Sequence, residues 1–160
     1  QPSGQTMIYR AESVVYFVGT SATTGEPALM RARADGGNDY AAPEELVEGI
    51  ENLQVLYGLD QTTDISSVTP PLGHISTQVT ATGVTSDADA TGAAQWRRVG
   101  LVQVGILARS PLSTTAPAPS AALNYPSALG VSFAPATTPD GRFRTTYEST
   151  IALRNRLFGN

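Results

Sequence analysis

Few side chains in this sequence of 160 residues could carry out catalysis. There is no Cys and no Lys, so a nucleophile would have to be a hydroxyl or a carboxylate. His74 is the only imidazole, and no Gly-x-Ser-x-Gly motif supplies the serine for a Ser-His-Asp arrangement. One imidazole without thiolates is also too little for a zinc site. We therefore predict no catalytic residue, no cofactor-binding residue and no metal ligand, and interpret His74 as a solvent-facing loop residue.

Residues 87–92 carry the strongest metal-binding pattern. Asp87 and Asp89 are two positions apart and Gly92 is sixth, as at the start of an EF-hand-type calcium loop. The twelfth position is Arg98, where such a loop needs a bidentate glutamate. Calcium binding by residues 87–92 and a solvated loop are therefore both open, and we favour the solvated loop.

An acidic run raises the question of acid–base chemistry. Glu44, Glu45, Glu48 and Glu51 lie close together beside apolar residues. Paired carboxylates can act as acid and base when burial and mutual repulsion separate their pKa values. A helix or a strand through this segment would nevertheless place the charges on the wet side of an amphipathic element. We therefore predict a solvated face here.

The arginine-containing stretches also have two interpretations. Trp96, Arg97 and Arg98 could form a platform that stacks on a carbohydrate or binds an anion. A lone Trp just before an apolar strand is more typical of a core anchor, which is the interpretation we favour. Arg154 and Arg156 are predicted to pair with acidic residues on neighbouring strands.

Composition and charge exclude several classes of partner. The net charge is −4 and the pI about 4.8, which argues against nucleic acid as a partner because nucleic-acid surfaces require basic patches. The longest apolar run, at 99–108, is too short to cross a bilayer. Residues 1–160 are expected to form a single domain. Because the sequence opens on Gln1 rather than Met, we expect it to be a piece of a longer protein.

The elements that must position these residues are mostly strands. Alternating or continuously apolar segments predict a hairpin with a central first strand, further strands and one long C-terminal strand, at 13–19, 28–33, 51–58, 75–81, 99–109, 129–134 and 142–157. A short helical turn or an extended lead-in precedes residue 51. Long loops are predicted at 60–95 and 110–127. The predicted fold is mostly β, with two packed antiparallel sheets or a partly open barrel of six to eight strands and at most one or two short helices.

Three segments together resemble one protein family. They are GEPALMRARADGG followed by ELVEGIENLQVLYGLD, then WRRVGLVQVGILARS, and finally RFRTTYESTIALRNRL. In order and spacing they resemble PilW-type type IV pilus minor pilins over residues 13–157. The Glu-Gly-Ile-Glu stretch at residues 48–51 alone is also similar to J-class minor pseudopilins of type II secretion systems, and the closing ALRNRL favours the pilus family.

The resemblance implies a non-enzymatic assembly subunit with a β-rich, pilin-like head. Such a subunit would join a tip or priming complex for pilus biogenesis, with roles in adhesion and twitching motility. Its partners would be other minor pilins and the major pilin, with a tip adhesin as a further candidate. It would contact the membrane only through the N-terminal helix that family members carry and these residues do not include. It would lie at the periplasmic face of the inner membrane before assembly and at the pilus tip afterwards.

Two alternatives remain open at this point. One is the J-class pseudopilin of a type II secretion system. The other belongs to a different class: a sugar- or calcium-binding adhesive module built around Trp96, Asp87 and Asp89.

Overall fold

The computed structural model describes residues 11–37, 39–63, 65, 69–87, 90–113, 126–133 and 140–153. These residues form nine strands and two short helices: β1 Val14–Thr20, β2 Pro27–Arg33, β3 Glu44–Glu48, β4 Ile50–Asp60, β5 Ile75–Val79, α1 Ala81–Val84, α2 Ala90–Trp96, β6 Val99–Arg109, β7 Ser127–Ala128, β8 Val131–Ser132 and β9 Arg144–Ala152. All strand pairs are antiparallel. The predicted mostly-β class with two short helices is confirmed.

The chain falls into two compact units, residues 1–49 and 50–160, which are described separately. In the first unit the strand order is β1-β2-β3. The β1–β2 hairpin closes through Ser21, whose amide donates to Glu26 O at 2.8 Å. Gly25 supplies the positive φ of that turn. The predicted hairpin is therefore confirmed, whereas the single-domain organisation remains a prediction.

The prediction that β1 is a central strand is wrong. In the described part of the chain β1 pairs with β2 alone, and β2 is the strand with two neighbours. The prediction relied on the apolar residues on both faces of β1. Such residues indicate that both faces are covered, but they do not show how many strands pair with β1 at its edges. Val15 and Tyr16 in fact remain exposed.

The acidic segment is extended rather than helical. β3 and β4 follow one another, separated by Gly49, whose φ of 84° is accessible to glycine at little cost. The Gly49 amide donates to Pro27 O at 2.7 Å. The extended lead-in was therefore the correct alternative and the helical turn was wrong.

In the second unit the four-stranded sheet has the order β5-β4-β6-β9. β6 lies between β4 and β9, as its two apolar faces predicted. The β6–β9 ladder runs without interruption from Leu101↔Ala152 to Arg109↔Arg144. The predicted C-terminal strand is thus confirmed to residue 152, and residues 154–157 lie outside the described part.

Two helices occupy the segment 60–95 that we predicted to be a long loop with one strand. β5 lies there as predicted, but α1 and α2 follow it. Thr and Gly within both helices hid them from the sequence pattern, because these residues are poor helix formers. Tertiary packing compensates: Val84 of α1 lies in a buried cluster with Leu59 and Val99.

The predicted strand at 129–134 is a hairpin instead. Ser127 pairs with Ser132 and Ala128 with Val131. The turn residues Leu129 and Gly130 have φ values of 48° and 81°, as in a type I′ turn. The sequence prediction failed because Leu is uncommon at positive φ. Of the predicted loop at 110–127, residues 114–125 lie outside the described part.

Candidate functional site

His74 is the one imidazole of the sequence. It is exposed and lies immediately before β5. Its carbonyl oxygen accepts a hydrogen bond from the Gln61 amide at 3.0 Å, which ties the loop to the sheet. The prediction of a solvent-facing loop histidine is confirmed.

The calcium hypothesis lacks the loop that it requires. An EF-hand-type loop from Asp87 would extend through twelve residues to Arg98. Helix α2 instead occupies positions 90–96 of that segment. A Cβ on Gly92 would lie 1.9 Å from the Asp87 carbonyl oxygen, so this glycine permits close backbone packing. Asp89 lies outside the described residues, among which no group of three or more potential ligands could hold a metal.

The acidic run divides into two environments. Glu44, Glu45 and Glu48 are exposed on β3, as predicted, and Glu44 pairs with Arg31 of β2. Glu51 does not follow that prediction. It is half-buried and accepts hydrogen bonds from two arginines, so it belongs to an internal ion cluster.

The ion cluster consists of Glu51, Arg109, Asp140 and Arg144. Glu51 Oε1 accepts from Arg109 Nη1 at 2.8 Å and from Arg144 Nη2 at 2.9 Å, while Oε2 accepts from Arg144 Nε at 2.6 Å. Arg144 also forks onto both oxygens of Asp140. The Arg144 side chain is only 8% exposed. The cluster therefore joins the start of β4, the end of β6 and the start of β9.

The pKa values follow from this geometry. The hydrogen bonds from Arg144 hold the pKa of Asp140 at about 2, although burial alone would raise it. Burial alone would raise the pKa of Glu51, but hydrogen bonds from Arg144 and Arg109 outweigh it and lower the pKa. Asp140 raises the pKa of Arg144. Glu51, Asp140 and Arg144 therefore stay charged near neutral pH, which suits a structural cluster and not acid–base catalysis.

Asp60 is a second buried carboxylate that the sequence analysis did not identify. It is 1% exposed, and its oxygens accept from the amides of Thr62 at 2.8 Å, Leu72 at 3.3 Å and Gly73 at 2.6 Å. Burial alone would raise the pKa of Asp60, but these amides outweigh it and lower the pKa. Asp60 thus fixes the loop between β4 and β5.

Trp96 is a core anchor, as predicted, and Arg98 is structural as well. Trp96 packs edge-on against Tyr57 with ring centroids 4.9 Å apart, beside the buried cluster of Leu59, Val84 and Val99. Arg98 donates from Nε and Nη2 to the Asp60 carbonyl oxygen at 3.1 and 3.0 Å. Arg98 therefore closes the α2–β6 connection onto β4, while Arg97 is exposed.

The feature best suited to binding is one face of the four-stranded sheet. Cross-strand pairing aligns apolar side chains on it, and we call this set the apolar sheet face: Leu53, Val55, Tyr57, Val102, Val104, Ile106, Tyr147 and Ile151. In the described part of the chain, the helices pack against its end at Tyr57 and Val102. Elsewhere its residues are half-buried or exposed, and Tyr147 is 63% exposed.

The sequence contains a weak signal for Asp140, which the sequence analysis did not identify. Asp140 lies in a Pro-Asp-Gly turn, and Arg142 and Arg144 follow it with strand spacing. That spacing suggests a carboxylate facing two cations. Asp60 and Glu51 gave no comparable signal, because their burial depends on long-range strand pairing. Arg154 and Arg156 lie outside the described residues.

Comparison with known proteins gives one result. A family model for the type IV pilus-assembly protein W matches residues 15–155. No curated protein and no solved structure matches the chain. In the described part of the chain, none of the helices has the length and apolar character needed to span a membrane. The family match confirms the resemblance and covers most of the sequence, so the chain belongs to the type IV pilus-assembly protein W family.

Proposed function

We propose that this chain is the single-domain head of a minor pilin, a non-enzymatic subunit that joins a tip or priming complex during type IV pilus biogenesis. Family membership supports a role in pilus assembly. The partners would be other minor pilins and the major pilin, with a tip adhesin as a further candidate. The head would face the periplasm at the inner membrane and later reach the pilus tip.

The apolar sheet face is the observation that carries this proposal. Among the described residues, Leu107 and Asp60 are the largest side chains that are fully buried, so little of the large apolar surface is used internally. On the apolar sheet face, Val55 and Val104 lie directly opposite one another near the middle and are half-buried. A row of apolar side chains that keeps part of its surface accessible suits a protein that is completed by association.

The charged residues support the same conclusion. The arginines and carboxylates with the shortest contacts, such as Arg144 with Glu51 and Asp140, are engaged in joining strands. The one histidine is exposed in a loop. Among the described residues, therefore, the apolar sheet face suits recognition of a partner better than any cluster of charged groups does.

Capture of pilus proteins from envelope extracts tests this proposal. The immobilised 160-residue chain should retain other minor pilins. A double variant, Val55→Thr with Val104→Thr, keeps β-branched side chains but places two hydroxyls in the contact. We expect about tenfold weaker binding, since desolvating those hydroxyls costs about 1–2 kcal/mol.

Gln78→Thr serves as the matched control, because Gln78 is exposed on the opposite face of the same sheet. It should bind like the unmodified chain. Retention of no pilus subunit would contradict the proposal, and selective retention of type II secretion pseudopilins would assign the chain to that machine instead.

A further inference from the structure

Strand β9 has an open outer edge. Among the described residues it pairs with β6 alone, and every residue from Tyr147 to Ala152 is exposed. The β6–β9 register continues through nine pairs without a shift, whereas the β2–β3 and β4–β5 pairings each contain one shift and the β4–β6 pairing contains two. β9 also contains no Pro and no Lys. A long, regular edge without these protective features is a template for another strand.

The backbone groups that face this edge can be identified. Phe143 O accepts from Ser110 N, and Leu153 N donates to Gly100 O, both at 2.8 Å. Odd-numbered residues of β9 therefore direct their backbone groups towards β6. Because antiparallel strands alternate the direction of these groups, the even-numbered residues from Arg144 to Ala152 direct theirs outwards.

The side chains along the edge are arranged symmetrically. Phe143, Tyr147 and Ile151 lie on the same side of the strand, four residues apart, and are 72%, 63% and 50% exposed. Thr145 and Ser149 fill the positions between them. In both directions from Tyr147, a hydroxyl residue comes first on this side of the strand and a large apolar residue follows it. Such a pattern is what an isologous two-fold interface requires of each copy.

We propose that β9 pairs antiparallel with β9 of a second copy of this chain, with the two-fold axis at Tyr147. Phe143 then lies opposite Ile151 of the second copy, and Tyr147 opposite its own counterpart. The outward backbone groups meet in the pairs Arg144 with Thr150 and Thr146 with Glu148, each formed twice. These four pairs exchange about eight hydrogen bonds. The apolar residues occupy the intervening, closer pairs, where cross-strand contacts are strongest.

Neighbouring registers are less favourable. A register centred on Glu148 would place two like charges directly opposite. One centred on Thr146 would place Phe143 opposite Ser149 and Tyr147 opposite Thr145, which loses the apolar pairs. In a register that pairs odd-numbered with even-numbered residues, the apolar sheet faces of the two copies would lie on opposite sides of the joined sheet. Among these registers, the one centred on Tyr147 both keeps the two apolar sheet faces on one side and places their large apolar residues opposite one another.

Sedimentation of the 160-residue chain over a wide range of concentration tests the association. We expect a monomer–dimer equilibrium that Tyr147→Arg shifts at least tenfold towards monomer, because it places two cations at the axis. Tyr40→Arg, an equally sized change at an exposed tyrosine of the first unit, should leave the equilibrium unchanged. A chain that stays monomeric at all concentrations, or that pairs only with a different pilus subunit, would overturn the proposal.

Disulfide trapping tests the register, and the absence of native Cys makes it unambiguous. Oxidation of Tyr147→Cys should give a covalent dimer, because residues opposite in a non-hydrogen-bonded pair lie about 4.5 Å apart at Cα. Ser149→Cys alone should not, because the two copies of residue 149 would be about 13 Å apart along the strands. Adding Thr145→Cys to Ser149→Cys should restore crosslinking. Efficient crosslinking of the single Ser149→Cys variant would exclude the Tyr147 register.

Discussion

Replacing Arg144 by Met removes the cation that two carboxylates share. Glu51 and Asp140 are 17% and 22% exposed at their side chains, and in Arg144→Met they would face each other with Arg109 as the neighbouring cation. Removing one partner of a fully buried ion pair costs about 3–5 kcal/mol, and partial exposure reduces this to about 2–3 kcal/mol here. The variant should fold, with a lower free energy of unfolding.

The pH dependence of stability distinguishes the loss of these ion pairs from a simple loss of packing. The pKa of Asp140 is depressed from 3.8 to about 2, so its stabilising effect is present above pH 3.8 and is lost as the pH falls towards 2. That shift corresponds to about 2 kcal/mol at most, and to about 1 kcal/mol after screening. About half of this effect is lost by pH 3, so the difference between wild type and Arg144→Met should shrink by about 0.5 kcal/mol between pH 7 and pH 3.

Urea denaturation followed by circular dichroism at several pH values measures both effects. Arg144→Lys keeps the charge but loses the planar fork, so its free energy of unfolding should lie between those of the other two proteins. Arg97→Met is the matched control, because Arg97 is exposed, and it should stay within about 0.5 kcal/mol of wild type. A difference for Arg144→Met that is the same at pH 7 and pH 3 would refute the electrostatic explanation.

Three further variants test other parts of the second unit. Gly105→Ala places a Cβ 2.9 Å from Leu129 Cγ and should displace the β7–β8 hairpin at a cost of about 1–2 kcal/mol, seen as faster proteolysis at that hairpin than in wild type. Asp60→Asn replaces one carboxylate oxygen by an NH2 group, so one of the loop amides that Asp60 accepts from, Leu72 or Gly73, loses its acceptor. The free energy of unfolding in urea should fall by about 2 kcal/mol, and an unchanged midpoint would show that these hydrogen bonds contribute little. Trp96→Ala removes the ring that packs on Tyr57 and should cost about 2–3 kcal/mol by the same assay, while Trp96→Phe should lose less than half of that.

The strands were predictable where side-chain period and burial agree. β6 is apolar on both faces and lies in the middle of its sheet, and β9 alternates over its whole length. β1 shows the limit of that argument, because the same two-faced pattern occurs in a strand with one partner. The spacing of apolar side chains along a strand shows which of its faces are covered, but it does not show the order of the strands in the sheet.

Long-range pairing explains most of what the sequence did not reveal. Glu51 looks like its exposed neighbour Glu48, and it becomes half-buried only because β6 and β9 bring Arg109 and Arg144 to it. Helix α2 contains Thr91 and Gly92, which are weak helix formers, and it is held against β4 by Trp96, which packs on Tyr57. By contrast, the exposure of His74 and the role of Trp96 as an anchor followed from local sequence alone.

Counts of surface pili in a strain that lacks this gene test the central claim most directly, namely that the chain acts in pilus assembly through its surfaces. We expect few or no pili after deletion, full recovery with the complete wild-type gene or with His74→Ala, and poor recovery with Val55→Thr and Val104→Thr at equal protein levels. Normal piliation without the gene, or failure of His74→Ala to restore it, would contradict the claim.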